Sequence, residues 1–589
     1  MKAVLRSMGA ACAFLWVHAA MAQNPKTDGW MLSPGVVGTM VLLAIVLFIG
    51  ALIIAAKVSR LLEQNKEKQA ATSETSISEE ERIKRKLAAQ YKLRGDELGG
   101  TATAFDDKAL IAGATSEPNN PLVEEKLYSR TRLEVPKQLQ QLVIWYLGAA
   151  TFWLIFGTAV GEYLGLKFIW PDLDEVAWLS FGRLRPVHTN TVFWGWASMA
   201  MIGLAYFVIA RTSVTKIHSY KTGWWAFGLI NLSVIVGNIL LMAGINNGGG
   251  EYREYIWPAM LPFALGLILT FRNFYATVKR RKIPEIYVSN WYLLASLVWT
   301  IVLTIIGYLP FYQGGMGETI VQGYYMHMGV GMWFMTFTLG LIYYYLPSSL
   351  NKPIYSYSLG VLAFWTQMLF YTLIGTHHFI YSPLPWWLQT VAIVFSMGMF
   401  IPVIAGTTNF LMTMRGSWSA IGKSYVLPFF LVGVIFYFVG SSQGSFQAFR
   451  FTQNIWHFTD FNVAHSHMTM YGIICFILWA CIYALLPKMT GREPSQLLVG
   501  AHFWLAFIGL FAYTVSLMAG GSVKGIAWMN GVSFIDTVIA TRGYWTWRAV
   551  GGTLMFVSHC IFAWNFYIMV HNPLPPVASQ VRKPIPTEQ

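Results

Sequence analysis

The chain has 589 residues, 55% of them hydrophobic and only 12% charged. A water-soluble protein needs about 25% charged residues to cover its surface, so a soluble domain is excluded. The net charge of +14 does not mark a nucleic-acid binder, because the basic residues sit in short loops between apolar runs. The four cysteines are Cys12, Cys475, Cys481 and Cys560, and no CxxC or CxxCH occurs. That excludes covalently attached haem c, a zinc ribbon and a disulfide framework.

In chain order, residues 1–22 read as a signal peptide. Lys2 and Arg6 precede an apolar stretch that ends in the small-residue site Ala20-Met21-Ala22. Residues 23–56 hold one apolar span, at about 35–56. Lys57, Arg60, Lys66 and Lys68 follow it and place that end in the cytoplasm. Residues 57–139 form a polar cytoplasmic linker, rich in Lys and Glu, with no sign of chemistry.

The core runs from 140 to 571 and holds about twelve spans: 141–164, 186–210, 223–243, 257–275, 291–309, 323–346, 358–382, 387–412, 425–442, 461–487, 500–520 and 545–570. Each apolar run is long enough to cross a bilayer as a helix. A tail, 572–589, returns to the cytoplasm. Starting the first core span inside puts the basic clusters in the cytoplasmic loops: Arg211 with Lys216 and Lys221, Lys279 to Lys282, Lys352, Arg415 with Lys423, and Lys488 with Arg492. The expected fold is an all-α integral membrane protein, with a twelve-helix core and one extra N-terminal transmembrane helix.

Six of the 12 histidines lie in the core spans at one depth, toward the outer face. They are His188, His327, His377, His378, His465 and His467. Imidazole buried in lipid is costly unless it is paired or ligating, and six at one level point to metal or haem. Neighbouring residues on a helix stand ~100° apart, so His377 and His378 can lean toward one small site. Residues two apart stand ~200° apart, so His465 and His467 point to opposite sides and can serve two cofactors. Imidazole suits both copper and iron. His18, His218, His502, His559 and His571 read as structural, and His457 as a structural residue or a partner for a haem propionate.

The carrying segments are GRLRPVHTN at 182–190, QGYYMHMGVGM at 322–332, PIYSYSL at 353–359, FYTLIGTHHFIYSPLP at 370–385 and TDFNVAHSH at 459–467. Together they resemble the haem-copper oxidase superfamily, and in detail its cbb3-type branch, over about 140–571. The resemblance implies a low-spin haem b on His188 and His467, a high-spin haem b on His465, and one copper ion on His327, His377 and His378. It implies that Tyr371 is a catalytic tyrosine, linked covalently in this branch to the copper-ligating histidine that here is His327. Tyr355, Tyr357 and Ser358 resemble the start of the branch's proton path. Arg183, Arg185 and Arg450 are candidate propionate partners. Glu251 and Glu254, in GGGEYREYIWP, match carboxylates near the propionates that can hold a structural cation.

The implied protein is a multi-pass terminal oxidase of a bacterial inner membrane, reducing dioxygen with proton uptake and translocation. With no haem c or dinuclear copper motif of its own, it implies membrane-anchored c-type cytochrome subunits and a cytochrome c donor. Two positions depart from the branch. Gln443 stands where a carboxylate is usual, and Met328 follows His327 where a polar residue is expected. The rival within the superfamily is nitric oxide reductase, which keeps the six histidines but holds iron in place of copper. Its cytochrome-c-dependent type places a glutamate four residues after the helix-six histidine, where this chain has Gly331. A cofactor-free transporter is a poorer fit, since these spans hold very few carboxylates.

Overall fold

In hydrocarbon every backbone N–H and C=O must be satisfied within the protein, which leaves helices as the simplest spanning element. The computed structural model describes residues 135–571 apart from 174–175, 249 and 311–313, with positions 45 and 56 alone before them. The signal at 1–22, the span at 35–56, nearly all of the linker and the tail at 572–589 lie outside the described residues. All regular structure among the described residues is helical.

Twelve long helices follow one another: α1 Lys137–Lys167, α2 Phe181–Thr212, α3 Tyr220–Met242, α4 Trp257–Lys279, α5 Val288–Gly307, α6 Gly315–Leu350, α7 Tyr357–Tyr371, α8 Trp386–Met414, α9 Leu427–Gln447, α10 Asp460–Thr490, α11 Gln496–Met529 and α12 Phe534–His571. Eleven of them are long and apolar enough to cross a membrane. The exception is α7, which has 15 residues. The span expected at 358–382 is therefore not one α-helix. It stops at Tyr371, and the chain then turns into a short 3₁₀ helix, Gly375–Phe379. The cause is a backbone contact described below.

Three helices form the centre. The apolar stretches of α2, α6 and α10 are 94, 89 and 94% buried, against 39–56% for the other eight spans. These three carry His188, His327, and His465 with His467. Each widens into a π-helical stretch just past its histidine: Thr191–Ala197, Gly329–Met335 and Met468–Cys475. Single-turn π stretches inside α-helices are common at functional sites. Here each contains one glycine whose missing side chain admits an aromatic ring. A Cβ on Gly195 would stand 2.8 Å from Trp153, one on Gly331 2.2 Å from Tyr371, and one on Gly472 2.7 Å from Phe436.

A repeat is visible at the opposite end of the bundle. Ser219 caps α3 and Ser356 caps α7. Asn273 of α4 holds the Ser219 backbone through both its N–H and its C=O, at 3.0 and 2.8 Å. Asn409 of α8 does the same for Ser356, at 2.9 and 2.8 Å. Such clamps satisfy backbone groups that a turn leaves exposed.

Candidate functional site: histidines on three buried helices

The tightest cluster is built by two glycines. A Cβ on Gly375 would stand 2.3 Å from the carbonyl oxygen of Gly323, and one on Gly323 2.9 Å from that of Gly375. Only paired glycines let these two backbones meet. Gly323 lies one turn before His327 on α6, and Gly375 lies two residues before His377. The contact ends α7 and swings the 3₁₀ turn across α6. His327, His377 and His378 then each offer a ring nitrogen within 4.8 Å of the others, the one such group among the described residues. Their ring centroids are 4.7, 5.2 and 4.5 Å apart. The Nδ1 of His377 meets Ser396 at 2.6 Å, while the Nδ1 of His327 is buried with no partner. Three clustered imidazoles, one with an orphaned buried nitrogen, suit a metal ion that takes imidazole ligands.

Tyr371 joins this cluster. Its ring lies 5.5 Å from that of His327, against the bare backbone of Gly331. His465 and His467 leave α10 toward different neighbours. His465 meets α9, where Gln443 Oε1 lies 2.9 Å from its Nδ1 and where a Cβ on Gly444 would stand 3.1 Å from its ring. His467 meets α11, its ring 4.4 Å from that of Tyr513, and its Nδ1 is held by the Val463 carbonyl at 2.8 Å.

His188 and His467 both line a cavity of about 260 Å³ enclosed by α1, α2, α10, α11 and α12. The Nδ1 of His188 is held by the Gly157 carbonyl at 2.7 Å, and a Cβ on Gly161 would sit 2.5 Å from its ring. In His188, His465 and His467 alike the Nδ1 is engaged, which fixes the ring and leaves Nε2 for a metal. The residues present therefore fit two haems and a copper.

The other expected residues separate into groups. Arg185 reaches the cavity and pairs with Glu251 at 2.5 Å. Arg183 instead bonds the Met242 carbonyl at 3.1 Å, and Arg450 lies over the Trp386 ring and bonds Thr390. The cavity's second arginine is Arg548, stacked 4.0 Å over Phe168. Its charge, within an apolar helix, is the signal that sequence reasoning left unused. Glu254 is 4% exposed and accepts from Asn190 at 2.9 Å, and its other oxygen has no partner. Outside the spans, burial pushes its carboxyl up from 4.5 to about 7.

Tyr355, Tyr357 and Ser358 are exposed at the start of α7. Further along, fully buried Gln367 bonds Thr336 at 2.7 Å, one helix turn before Tyr371. Sequence reasoning missed both polar groups, because single polar residues in apolar runs have no periodicity. His502 bonds Tyr483 at 3.1 Å, and His559 bonds Thr158 and Tyr471.

A bundle of twelve helices, eleven of them apolar enough to cross a membrane, with six inward histidines near one end, has the build of a membrane metalloprotein of the haem-copper class. The family model for cytochrome c and quinol oxidase polypeptide I matches residues 141–554. A cytochrome c oxidase subunit 1 homolog of Azorhizobium caulinodans is 30% identical over 443 residues, covering 72% of this chain and 80% of that protein. A cbb3-type cytochrome c oxidase subunit CcoN1 of Stutzerimonas stutzeri is 29% identical over 442 residues, covering 72% of this chain and 93% of the relative. Among solved structures, a heme-copper terminal oxidase dimer matches with a TM-score of 0.63 and 16% identity, over 74% of this chain and 85% of that one. The chain belongs to the cytochrome c and quinol oxidase polypeptide I family. It is subunit I of a haem-copper oxidase, a multi-pass membrane enzyme.

Proposed function

We propose that this subunit reduces dioxygen to water in a cbb3-type cytochrome c oxidase. His188 and His467 would hold a low-spin haem b, His465 a high-spin haem b, and His327, His377 and His378 a copper ion. Bound there, these groups would supply electrons and an open metal position for the gas. The observation that carries the reading is Tyr371, its ring seated against Gly331 and 5.5 Å from His327.

Dioxygen needs four electrons and four protons to become two waters. A phenol beside the metal cluster can give one electron and one proton, which lets the O–O bond break without release of peroxide. A reductase for nitric oxide needs no such donor. The carboxylate that its cytochrome-c-dependent type carries in this place has no room, because Tyr371 fills the space beside Gly331.

Other residues of the chain serve protons and charge. Tyr355, Tyr357 and Ser358 form a polar mouth on the side that the basic loops mark as cytoplasmic, and Gln367 with Thr336 continues inward toward Tyr371. Arg185 and Arg548 are the cations placed for haem propionates at the low-spin cavity. Glu254 Oε1 and Gln322 Oε1 are buried acceptors without partners beside the loop that also carries Glu251, which supports a structural cation there. Electrons would arrive from membrane-anchored c-type cytochromes, with proton translocation coupled to turnover in a bacterial inner membrane.

The test is gas uptake by the purified complex with a reduced artificial donor, comparing dioxygen with nitric oxide, in wild type and Tyr371→Phe. Fast, cyanide-sensitive dioxygen uptake that collapses in the variant is the expected result. Nitric oxide uptake without dioxygen uptake, unchanged by the variant, would overturn the proposal.

A further inference from the structure

Three carboxylates line the cavity that contains His188 and His467: Glu162, Glu251 and Asp460. Two of them are bound to cations. Glu251 pairs with Arg185 at 2.5 Å. Asp460 pairs with Lys524 at 3.0 Å and also accepts from the Trp545 indole at 3.2 Å.

Glu162, on α1, has no such partner among the described residues. Its Oε1 accepts from the Thr553 hydroxyl at 2.5 Å, and its Oε2 is buried with no hydrogen bond at all. The backbone of Gly552 makes room for that oxygen, since a Cβ there would stand 3.0 Å from it. One turn before Glu162 on α1, Thr158 meets the Nδ1 of His559 at 3.1 Å. The Nε2 of His559 continues to Tyr471 at 3.0 Å, and Tyr471 to Ser558 at 3.4 Å. The charged and titratable groups that face Glu162 across this cavity are Arg185, Arg548, Glu251, Asp460, His188, His467, His559, Tyr252, Tyr471, Tyr513 and Cys475.

An ionised carboxylate inside the membrane, with one oxygen unpaired and no cation in ion-pair contact, is costly. Adding negative charge to the same cavity makes it costlier, and a proton on the unpaired oxygen relieves both. Glu251 and Asp460 already have fixed compensation, so Glu162 is the carboxylate free to respond.

We infer that Glu162 is a redox-linked proton site of the low-spin cavity. One electron arriving from the donor draws one proton from water onto Glu162, and departure of that electron releases it. The inference rests on the proposal that His188 and His467 hold a haem.

The experiment uses the purified complex. The midpoint potential of the low-spin haem is titrated optically at several pH values, and reduced-minus-oxidised infrared spectra are recorded in the carboxyl region. Expected for wild type is a potential that falls as pH rises, with a protonated-carboxyl band appearing on reduction. Glu162→Gln loses both. Thr553→Val keeps the carboxyl group but shifts its band, because the hydroxyl no longer bonds it. A pH slope and band unchanged in Glu162→Gln, or a band unmoved in Thr553→Val, overturns the inference. Haem optical spectra of His188→Ala and His467→Ala test the underlying assignment separately. Spectra unaltered there would overturn the haem reading itself.

Discussion

Gly331→Ala is the sharpest test of how the metal cluster is built. The added Cβ would lie 2.2, 2.4 and 2.7 Å from three ring carbons of Tyr371. Carbon atoms rest about 3.5–4.0 Å apart, so the ring must retreat by more than about 1 Å. Room is scarce, since Tyr371 is only 7% exposed and the His327 ring is 5.5 Å away. Overpacking of this kind costs about 1–3 kcal/mol of stability. A displacement of about 1 Å at reacting groups costs about 100-fold in rate. Dioxygen uptake should therefore fall about 100-fold while both haem spectra persist. Gly329→Ala is the control, because it lies in the same π stretch and its Cβ would meet nothing nearer than 4.0 Å. Uptake and thermal stability of Gly331→Ala equal to those of Gly329→Ala would refute the reasoning.

Gly375→Ala drives a Cβ to 2.3 Å from the Gly323 carbonyl oxygen and pushes the His377–His378 turn off α6. Copper content, measured by elemental analysis, should drop with a loss of affinity of about 10–100-fold; full copper occupancy would argue against the glycine contact as the builder of the site. In Gln443→Glu a charged acceptor replaces the neutral amide 2.9 Å from His465 Nδ1. A stronger acceptor for the ligand's Nδ1–H should lower the high-spin haem potential by about 59 mV, the equivalent of tenfold for one electron, and an optical redox titration that finds no downward shift would reject the link. Glu254 supplies a pH test. Burial raises its carboxyl to about 7 in the folded protein, from 4.5. A raised carboxyl contributes stability that is complete below about 4.5 and disappears as pH climbs through about 7. The melting temperature of the detergent-solubilised complex, stripped of divalent cations by chelator, should fall over that window, and Glu254→Gln should flatten the fall; parallel curves for the two proteins would contradict it.

Much of this protein is legible before folding. Hydropathy marks eleven of the twelve core helices at spanning length, because lipid demands long apolar runs, and the basic loops supply their expected orientation. The histidines of α2, α6, α10 and the 3₁₀ turn after α7 stand out because imidazole is expensive in a membrane without a ligand. Other features exist only once the helices meet. The end of α7 at Tyr371 depends on Gly323 and Gly375, 52 residues apart in sequence, touching through their backbones. The three π stretches leave no periodic trace, since one inserted residue per helix is invisible to a 3.6-residue pattern. Arg548 and Glu162 each look like a stray charge in an apolar run. The amino-acid order alone determined which segments are apolar enough to cross a membrane and which histidines are candidates to hold metal, because burial in lipid acts on each segment separately. Which carboxylate lacks a cation, and which ring fills the space beside Gly331, was decided by the tertiary structure, because those properties belong to pairs of helices.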